Sequence, residues 1–368
     1  MSTNLEVGII GLTNIGKSAL FNAMTKSKAE TVNYPFSTVK PNIGIVEVPD
    51  ARLDVLAEMH NPKKITPTSI KFVDLAGLVE GAALGEGLGN KFLSYIRQVD
   101  AICHVVRCFE DENIAHVGGS IDPVRDIEII NTELCLADLE TIEKRIEKAQ
   151  KQKKSGDKKA VEEIAVLDKV RSALENAEPA RKVVETKEEF DILRELFLLT
   201  MKPTIFVANI GEDEIANPDD SAHVRNMKEY AVKEEASVIC VCAKMEAEIA
   251  EFSQEDAQEI LQDLGLEEPG LNKLIRANYE LLGLITFFTA GTPEVRAWTI
   301  TNGTTASKAA GKIHSDIERG FIRAEIVAYD DLIGSGSVNG AKEKGLFRLE
   351  GKEYIMKDGD VTHFRFNI

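Results

Sequence analysis

One eight-residue segment near the amino terminus constrains the fold more than any other feature of the chain. Gly11–Ser18 reads GLTNIGKS and fits the pattern G-x-x-x-x-G-K-[ST] of a phosphate-binding loop. A short apolar run, Val7–Ile10, precedes it and is typical of a buried strand, and Ala19–Met24 after it favours a helix. Since this motif requires a strand before it and a helix after it, the segment predicts a strand–loop–helix unit that binds a nucleoside triphosphate.

The residue types of the loop suit phosphate chemistry. Glycines let the backbone curl so that its N–H groups point at phosphate oxygens, and the positive end of the following helix adds to the attraction. We expect Lys17 to reach the β- and γ-phosphates and to act in catalysis, and the Ser18 hydroxyl to ligate Mg²⁺. The candidate nucleotide-binding residues of the loop are Asn14, Ile15, Gly16, Lys17, Ser18 and Ala19.

The composition limits the classes of function. The chain has 368 residues, of which 43% are hydrophobic and 29% charged, as in a soluble globular protein of two or three domains. A formal net charge of −17 argues against non-specific coating of nucleic acid, and we expect no sequence-specific DNA binding. No apolar run is long enough to span a membrane, and no export signal is present, so we expect a cytoplasmic protein. The five cysteines fit no metal spacing and are expected to be free thiols.

Short apolar runs separated by helical stretches predict an α/β fold. Nearly continuous apolar strands of this kind are buried on both faces, so they indicate a doubly wound, mostly parallel sheet covered by helices. The runs lie at 42–48, 69–74, 101–107, 204–209 and 237–242.

The pattern changes between about 128 and 196. Apolar residues recur there at helical spacing on both sides of a lysine-rich turn, Lys151–Lys159, which predicts an inserted helical hairpin or coiled coil. The basic tip is either a contact for RNA or acidic protein, or a solvated turn.

The sequence pattern changes again at about residue 281. Several strand-like runs and one short helix near 305–313 predict a small mixed α+β domain without a catalytic constellation. The predicted domains are a nucleotide-binding domain at 1–128 and 197–278, the hairpin at 129–196 and the C-terminal domain at 281–368.

Two further motifs indicate a nucleotide switch. Asp74–Gly77, the sequence DLAG, follows a predicted strand, where the carboxylate of Asp74 can hold Mg²⁺ and the N–H of Gly77 can bond the γ-phosphate. Upstream, Thr38 lies in a loop that could close over the γ-phosphate and complete the metal shell. The order of phosphate loop, threonine and D-x-x-G is that of GTPase switches.

The base-recognition motif departs from the guanine pattern N-K-x-D. The matching residues are Asn209–Glu212, in which Ile210 replaces the lysine and Glu212 replaces the aspartate that accepts two bonds from guanine. Cys242-Ala243-Lys244 resembles the S-A-K base loop with cysteine for serine, and these three residues are further candidate contacts. The site is predicted to hold a purine, with guanine disfavoured.

The groups for hydrolysis are less clear from the sequence. Ras-like enzymes place a glutamine after D-x-x-G to orient water, whereas Leu78 stands here and cannot form such a hydrogen bond. We therefore expect slow intrinsic hydrolysis. His116, in a polar stretch after the strand at 101–107, could orient water or could be an ordinary loop histidine.

Together these motifs make the chain similar to YchF-type Obg-like ATPases, a branch of the translation-factor-related P-loop GTPases. The resemblance extends over essentially the whole length. It is carried by Gly11–Ser18, Asn33–Thr38 with Phe36, Asp74–Val79, Gly85–Asn90, Arg107–Asp111, Asn209–Glu212, Phe288–Gly291 and Glu294–Trp298.

The resemblance implies a C-terminal TGS domain of β-grasp type and a preference for ATP over GTP. It implies that adenine lies between Phe109 and Ile210, that Asn209 bonds the base, that Phe36 contributes to the nucleotide site and that His116 is linked to hydrolysis. It also implies association with ribosomes or ribosomal RNA through the hairpin and the TGS domain, in translation or stress response. One departure is Ala19, where the family usually has threonine, and we expect modestly weaker nucleotide binding.

Three functions remain open from the sequence. The first is a slow, Mg²⁺-dependent ATPase acting as a switch. The second is a GTPase of the same fold in which Glu212 tolerates guanine. The third is a nucleotide-gated binding protein whose hydrolysis is incidental. Leu78, in the position of the water-orienting glutamine, favours this third function.

Overall fold

A computed structural model describes residues 5–26, 41–75, 88–155 and 157–367 of the chain. Several residues of the predicted switch loops lie outside this described part: Phe36, Thr38, Gly77 and Leu78.

The strands agree closely with the apolar runs of the sequence. They are β1 Glu6–Ile10, β2 Asn42–Glu47, β3 Ile65–Thr66, β4 Ser69–Asp74, β5 Ala101–Arg107, β6 Thr204–Asn209, β7 Val238–Val241, β8 Leu284–Ala290, β9 Val295–Thr301, β10 Phe321–Ala328, β11 Arg348–Glu350 and β12 Asp360–Phe366.

Helices separate most of these strands. They are α1 Lys17–Lys26, α2 Ala51–His60, α3 Leu88–Gln98, α4 Pro123–Lys154, α5 Lys159–Glu175, α6 Lys187–Leu193, α7 Ala222–Lys233, α8 Ala243–Ile249, α9 Gln254–Asp263, α10 Gly270–Leu281, α11 Ala306–Ile313, α12 Ser315–Arg319, α13 Tyr329–Gly334 and α14 Val338–Glu343. Among the described helices, none combines the length and the apolar character needed to cross a bilayer.

The first sheet confirms the predicted α/β fold. Its described strands have the order β2-β4-β1-β5-β6-β7, and β1, β5, β6 and β7 pair in parallel. Every residue of β5 and β6 is buried, as expected for strands covered on both faces. The carboxyl ends of β1, β5 and β6 therefore meet at one edge of the sheet, where ligands bind in open α/β folds.

The predicted helical hairpin consists of α4 and α5. The 32 residues of α4 give a helix about 48 Å long. Asp122 caps its first turn and Pro123 occupies the first helical position, which explains why the helix starts there. Ile142 and Ile146 of α4 pack against Leu167 and Val170 of α5 in a shared apolar cluster.

The chain divides into two compact units along boundaries that differ from the predicted ones. One unit comprises Glu6–Gly44 and Phe72–Leu274, and therefore includes the hairpin; the other contains Ile45–Lys71 together with Ile275–Ile368. The sequence analysis assigned 45–71 to the nucleotide-binding domain.

The second unit shows why that segment groups with the C-terminal residues. Its described strands form a mixed sheet in the order β11-β10-β12-β8-β9-β3, in which the two-residue strand β3 pairs in parallel with β9. Leu53 and Leu56 of α2 pack on Phe288 and Val295 in the same core. Burial of these apolar groups ties α2, and strand pairing ties β3, to strands more than 200 positions later in the chain.

A buried carboxylate joins α8 to α10. Glu246 on α8 is 2% exposed and accepts a hydrogen bond from the N–H of Gly270, the first residue of α10, at 2.6 Å. Burial raises the pKa of Glu246 to about 7, and the backbone N–H groups of Gly270 and Leu271 oppose this shift.

We predict that Glu246 makes stability depend on pH. Its folded pKa of about 7 lies above the ordinary value of 4.5, so the folded state holds the extra proton, and this contribution to stability is lost as the pH rises from 4.5 through about 7. Relative to Glu246→Gln, the wild type should lose about 1–3 kcal/mol of unfolding free energy between pH 5 and pH 8, measured by urea denaturation. Glu248→Gln, on the exposed face of α8, is the control. If the unfolding free energies of wild type and Glu246→Gln change in parallel with pH, the prediction is contradicted.

Candidate nucleotide-binding site

The phosphate loop connects β1 to α1 as predicted, and its two motif glycines are required by close contacts. A Cβ on Gly11, which has φ +149°, would lie 2.4 Å from the carbonyl oxygen of Val105 on β5. A Cβ on Gly16, which has φ +92°, would lie 2.4 Å from Nδ2 of Asn209. Both positions therefore exclude larger residues by backbone conformation and by contact.

Lys17 is folded onto its own loop. Its side chain is 7% exposed, and Nζ donates to the carbonyl oxygens of Gly11, at 3.0 Å, and of Leu12. Burial lowers the pKa of Lys17 to about 8, and the nearby carboxylate of Asp74 opposes this shift. The ammonium group thus lies inside the curve of the loop, where the motif places phosphate oxygens.

The predicted metal ligands Ser18 and Asp74 lie close together. Ser18 Oγ donates to Asp74 Oδ2 at 3.4 Å, so the end of β4 and the start of α1 meet here. Burial raises the pKa of Asp74, and Lys17, Ser18 and Asn42 act in the opposite direction. A hydroxyl and a carboxylate are hard oxygen donors, which fits Mg²⁺. Among the described residues there is no cluster of three or more His, Cys, Asp or Glu side chains that could hold a metal ion.

Asn209 connects the phosphate loop to the start of α8. Its Nδ2 donates to the carbonyl oxygen of Ile15 at 2.8 Å, and its Oδ1 accepts from the N–H of Ala243 at 3.0 Å. Asn209 is itself buried. The predicted bond from Asn209 to a base stays a prediction, and the structure gives this side chain a second task, since it holds two binding loops together.

The predicted base contacts differ in their exposure. Ile210 and Cys242 are buried within one apolar core cluster, with 4% of each exposed. Phe109 is half-buried. Glu212, in the position where GTPases read guanine, forms an ion pair with Lys244 at 3.0 Å.

The role of Arg107 was not predicted from the sequence. This arginine ends β5, is 1% exposed, and donates to three backbone carbonyls of the following loop, those of Phe109, Asp111 and Ile114. Its guanidinium lies 4.5 Å from the centre of the Phe109 ring. A single arginine at the end of an otherwise apolar strand was the available signal, because a buried guanidinium needs several acceptors.

His116 lies at the other end of this loop. Asn14 of the phosphate loop donates to the carbonyl oxygen of Ala115, the preceding residue, at 3.4 Å. The His116 ring is turned to Asp126 on α4, with Nε2 to Oδ2 at 2.8 Å. The structure therefore brings this histidine's backbone to the phosphate loop while its side chain points into α4.

The three remaining predicted residues of the site, Phe36, Thr38 and Gly77, lie outside the described residues. Ala19 is exposed at the start of α1. Their predicted roles remain predictions.

Comparison with known proteins gives matches over the whole chain. A family model described as "50S ribosome-binding GTPase" matches residues 6–128, and the family YchF-GTPase_C, described as "Protein of unknown function (DUF933)", matches residues 284–367. The chain is 58% identical to the ribosome-binding ATPase YchF of Bacillus subtilis over 364 residues, covering 99% of this chain and 100% of that protein. The protein of the same name from Escherichia coli O157:H7 is 54% identical over 363 residues, 99% of each.

A solved structure also matches. The YchF GTPase of Schizosaccharomyces pombe is 38% identical, covers 99% of this chain and 98% of its own, and superimposes with a TM-score of 0.86.

We predict that Gly16→Ala abolishes tight binding of a nucleoside triphosphate, because the methyl group would displace Asn209 in addition to straining the backbone. Gly303→Ala is the matched control, since Gly303 has φ +84° but no atom within 4 Å of an added Cβ. Titration calorimetry with Mg–ATP should show a loss of affinity of about 100-fold or more for Gly16→Ala and none for Gly303→Ala. Equal, small effects of the two substitutions would show that the contact with Asn209 is unimportant.

Proposed function

This chain belongs to the YchF family, and from that premise we propose that it is a ribosome-binding ATPase whose nucleotide site is assembled around Gly11–Ser18. The observation that carries the proposal is the joint placement of Lys17, the Ser18–Asp74 pair and Asn209 at one sheet edge. A cytoplasmic location follows from the partner.

The altered base site supports a preference for ATP. Guanine recognition by GTPases needs a free carboxylate that accepts two coplanar hydrogen bonds. Here the corresponding carboxylate is on the longer Glu212, and Lys244 already pairs with it. Adenine does not need this acceptor, because it can stack on Phe109 while its edge bonds to backbone groups or to Asn209.

The groups that we propose for hydrolysis act on the phosphates and on the attacking water. Lys17 would neutralise charge on the transferring phosphoryl group, the N–H of Gly77 would bond the γ-phosphate, and His116 would orient water. Mg²⁺, held by Ser18, Asp74 and Thr38, would supply charge neutralisation at the β- and γ-phosphates when bound. Leu78 offers no hydrogen bond to water, so intrinsic turnover is slow.

We assign the contact with ribosomal RNA to the tip of the hairpin. The last turn of α4 carries Lys151, Lys153 and Lys154; Lys158 directly precedes α5, and α5 begins at Lys159. Within the described residues none of these five lysines forms an ion pair, whereas Lys144 and Lys169 farther down the hairpin are paired with Glu140 and Glu189. A cluster of free cations on a chain of net charge −17 suits a polyanion, and RNA phosphate is the polyanion of a ribosome.

A second candidate is a GTPase of the same fold. The Schizosaccharomyces pombe relative is named a GTPase, whereas the bacterial relatives are named ATPases. The pair Glu212–Lys244 is exposed on both sides, so an incoming guanine could compete for the carboxylate.

We predict that ATP binds at least about tenfold more tightly than GTP, because guanine leaves polar edge groups without partners here. Calorimetric titration with both nucleotides and with their non-hydrolysable analogues measures this ratio. A clear preference for GTP would contradict the base-site argument and favour the second candidate. ATP binding without measurable turnover would favour a nucleotide-gated binding protein.

We predict that Lys153→Gln with Lys154→Gln weakens ribosome binding in a salt-dependent way. Loss of two phosphate contacts should lower the slope of log affinity against log salt by about 1–2, measured by ribosome co-sedimentation between low and moderate salt. Lys144→Gln with Lys169→Gln is the matched control, since those lysines are already paired. If both double variants bind like the wild type, the tip is not the RNA contact.

A further inference from the structure

Both ring nitrogens of His116 are occupied. Nε2 lies 2.8 Å from Asp126 Oδ2, and Nδ1 accepts the backbone N–H of Gly118 at 3.0 Å. Because Nδ1 is an acceptor, the ring proton is on Nε2 and Nε2 donates to the carboxylate. The imidazole side chain is 5% exposed, so in this conformation it has neither a free nitrogen nor access to water.

Asp126 belongs to the first turn of α4 and its side chain is 3% exposed. Its second oxygen, Oδ1, faces Arg125, with Nη2 at 3.3 Å. Arg125 in turn donates to the backbone and hydroxyl oxygens of Ser120, so its charge is shared within the loop. The carboxylate thus has a partner on each of its two oxygens.

The first half of the loop is fixed independently of this pair. Arg107 holds the carbonyls of Phe109, Asp111 and Ile114, and none of these bonds involves His116 or Asp126. Movement of the His116 side chain therefore leaves the base-stacking residue Phe109 in place.

The backbone next to His116 contacts the phosphate loop. Asn14 of that loop donates to the carbonyl oxygen of Ala115, the residue before His116, at 3.4 Å. The side chain of His116 points instead to Asp126 on α4.

We propose that Asp126 is a positioning residue that holds His116 away from the nucleotide, so that hydrolysis requires the His116–Asp126 hydrogen bond to break. This inference rests on the proposed ATPase function. An aspartate that prepares a histidine for catalysis leaves the other ring nitrogen pointing at the reacting atoms. Here that nitrogen accepts from the N–H of Gly118, so the bond to Asp126 holds the imidazole in a conformation in which neither nitrogen is free. The conformation without the His116–Asp126 hydrogen bond is a minor state, and its population sets the turnover rate. Removal of the Asp126 carboxylate raises that population.

The test combines labelling of the imidazole with kinetics. Diethylpyrocarbonate modification of His116, followed by peptide mass spectrometry, reports the freedom of the ring without any nucleotide, and buried His104 serves as an internal reference. Steady-state ATP hydrolysis gives kcat and KM. The variants are Asp126→Ala, Asp126→Asn, His116→Ala and the double variant Asp126→Ala/His116→Ala, with Glu128→Gln as the control because Glu128 is exposed on the same turn of α4.

We expect Asp126→Ala to raise both the labelling rate and kcat by about tenfold, with KM nearly unchanged because Phe109 stays in place. Asp126→Asn should give a smaller rise of both, since its amide oxygen still accepts from Nε2. Glu128→Gln should behave as the wild type, and the double variant should be as slow as His116→Ala. If Asp126→Ala does not fold, as judged by its melting curve, Asp126→Asn decides the question alone.

Two results would overturn the proposal. A fall in kcat for the Asp126 variants with unchanged labelling would mean that Asp126 prepares His116 for catalysis. Increased labelling without increased kcat would mean that the hold does not limit hydrolysis. If the wild type hydrolyses no ATP, the proposed function fails, while the labelling still shows whether Asp126 holds the ring.

Discussion

The side-chain amide of Asn209 is the contact on which the nucleotide site depends. It joins the carbonyl of Ile15 in the phosphate loop to the N–H of Ala243, the first residue of α8. These two segments follow different strands, β1 and β7. Because one buried side chain bonds to both segments, their spacing is set before a ligand arrives, and binding does not have to pay for ordering them. Gly16 has no side chain because Asn209 occupies the space that one would fill.

A second connection runs from the site to the hairpin. Asp126 is in the first turn of α4, and its last turn carries Lys151, Lys153 and Lys154, which form no ion pair within the described part of the chain. One helix of 32 residues therefore carries the carboxylate that contacts His116 at one end and the basic tip at the other. A partner that displaces this helix would act directly on the carboxylate that contacts His116.

Much of this was predictable from the sequence, and the rest depends on contacts between distant residues. The phosphate loop, the strands and the hairpin are encoded locally, by glycine spacing and apolar periodicity. The grouping of 45–71 with the C-terminal residues was not predictable, because α2 and β3 pack on strands more than 200 positions away and β3 has only two residues. The sequence identified Glu212 and His116, but their partners Lys244 and Asp126 follow only from the fold. Arg107 was missed because its acceptors are backbone carbonyls, which carry no sequence signal.

The central claim is that Asn209 makes the phosphate loop and the start of α8 one preformed unit. Amide hydrogen exchange in wild type and Asn209→Ala, with and without Mg–ATP, tests it most directly. In the wild type, ATP should protect the amides of residues 14–18 and of Ala243 together. In Asn209→Ala, the Ala243 amide, without its acceptor, should exchange faster before ligand is added, and the shared protection should be lost. Undiminished protection of both segments by ATP in Asn209→Ala would contradict the account.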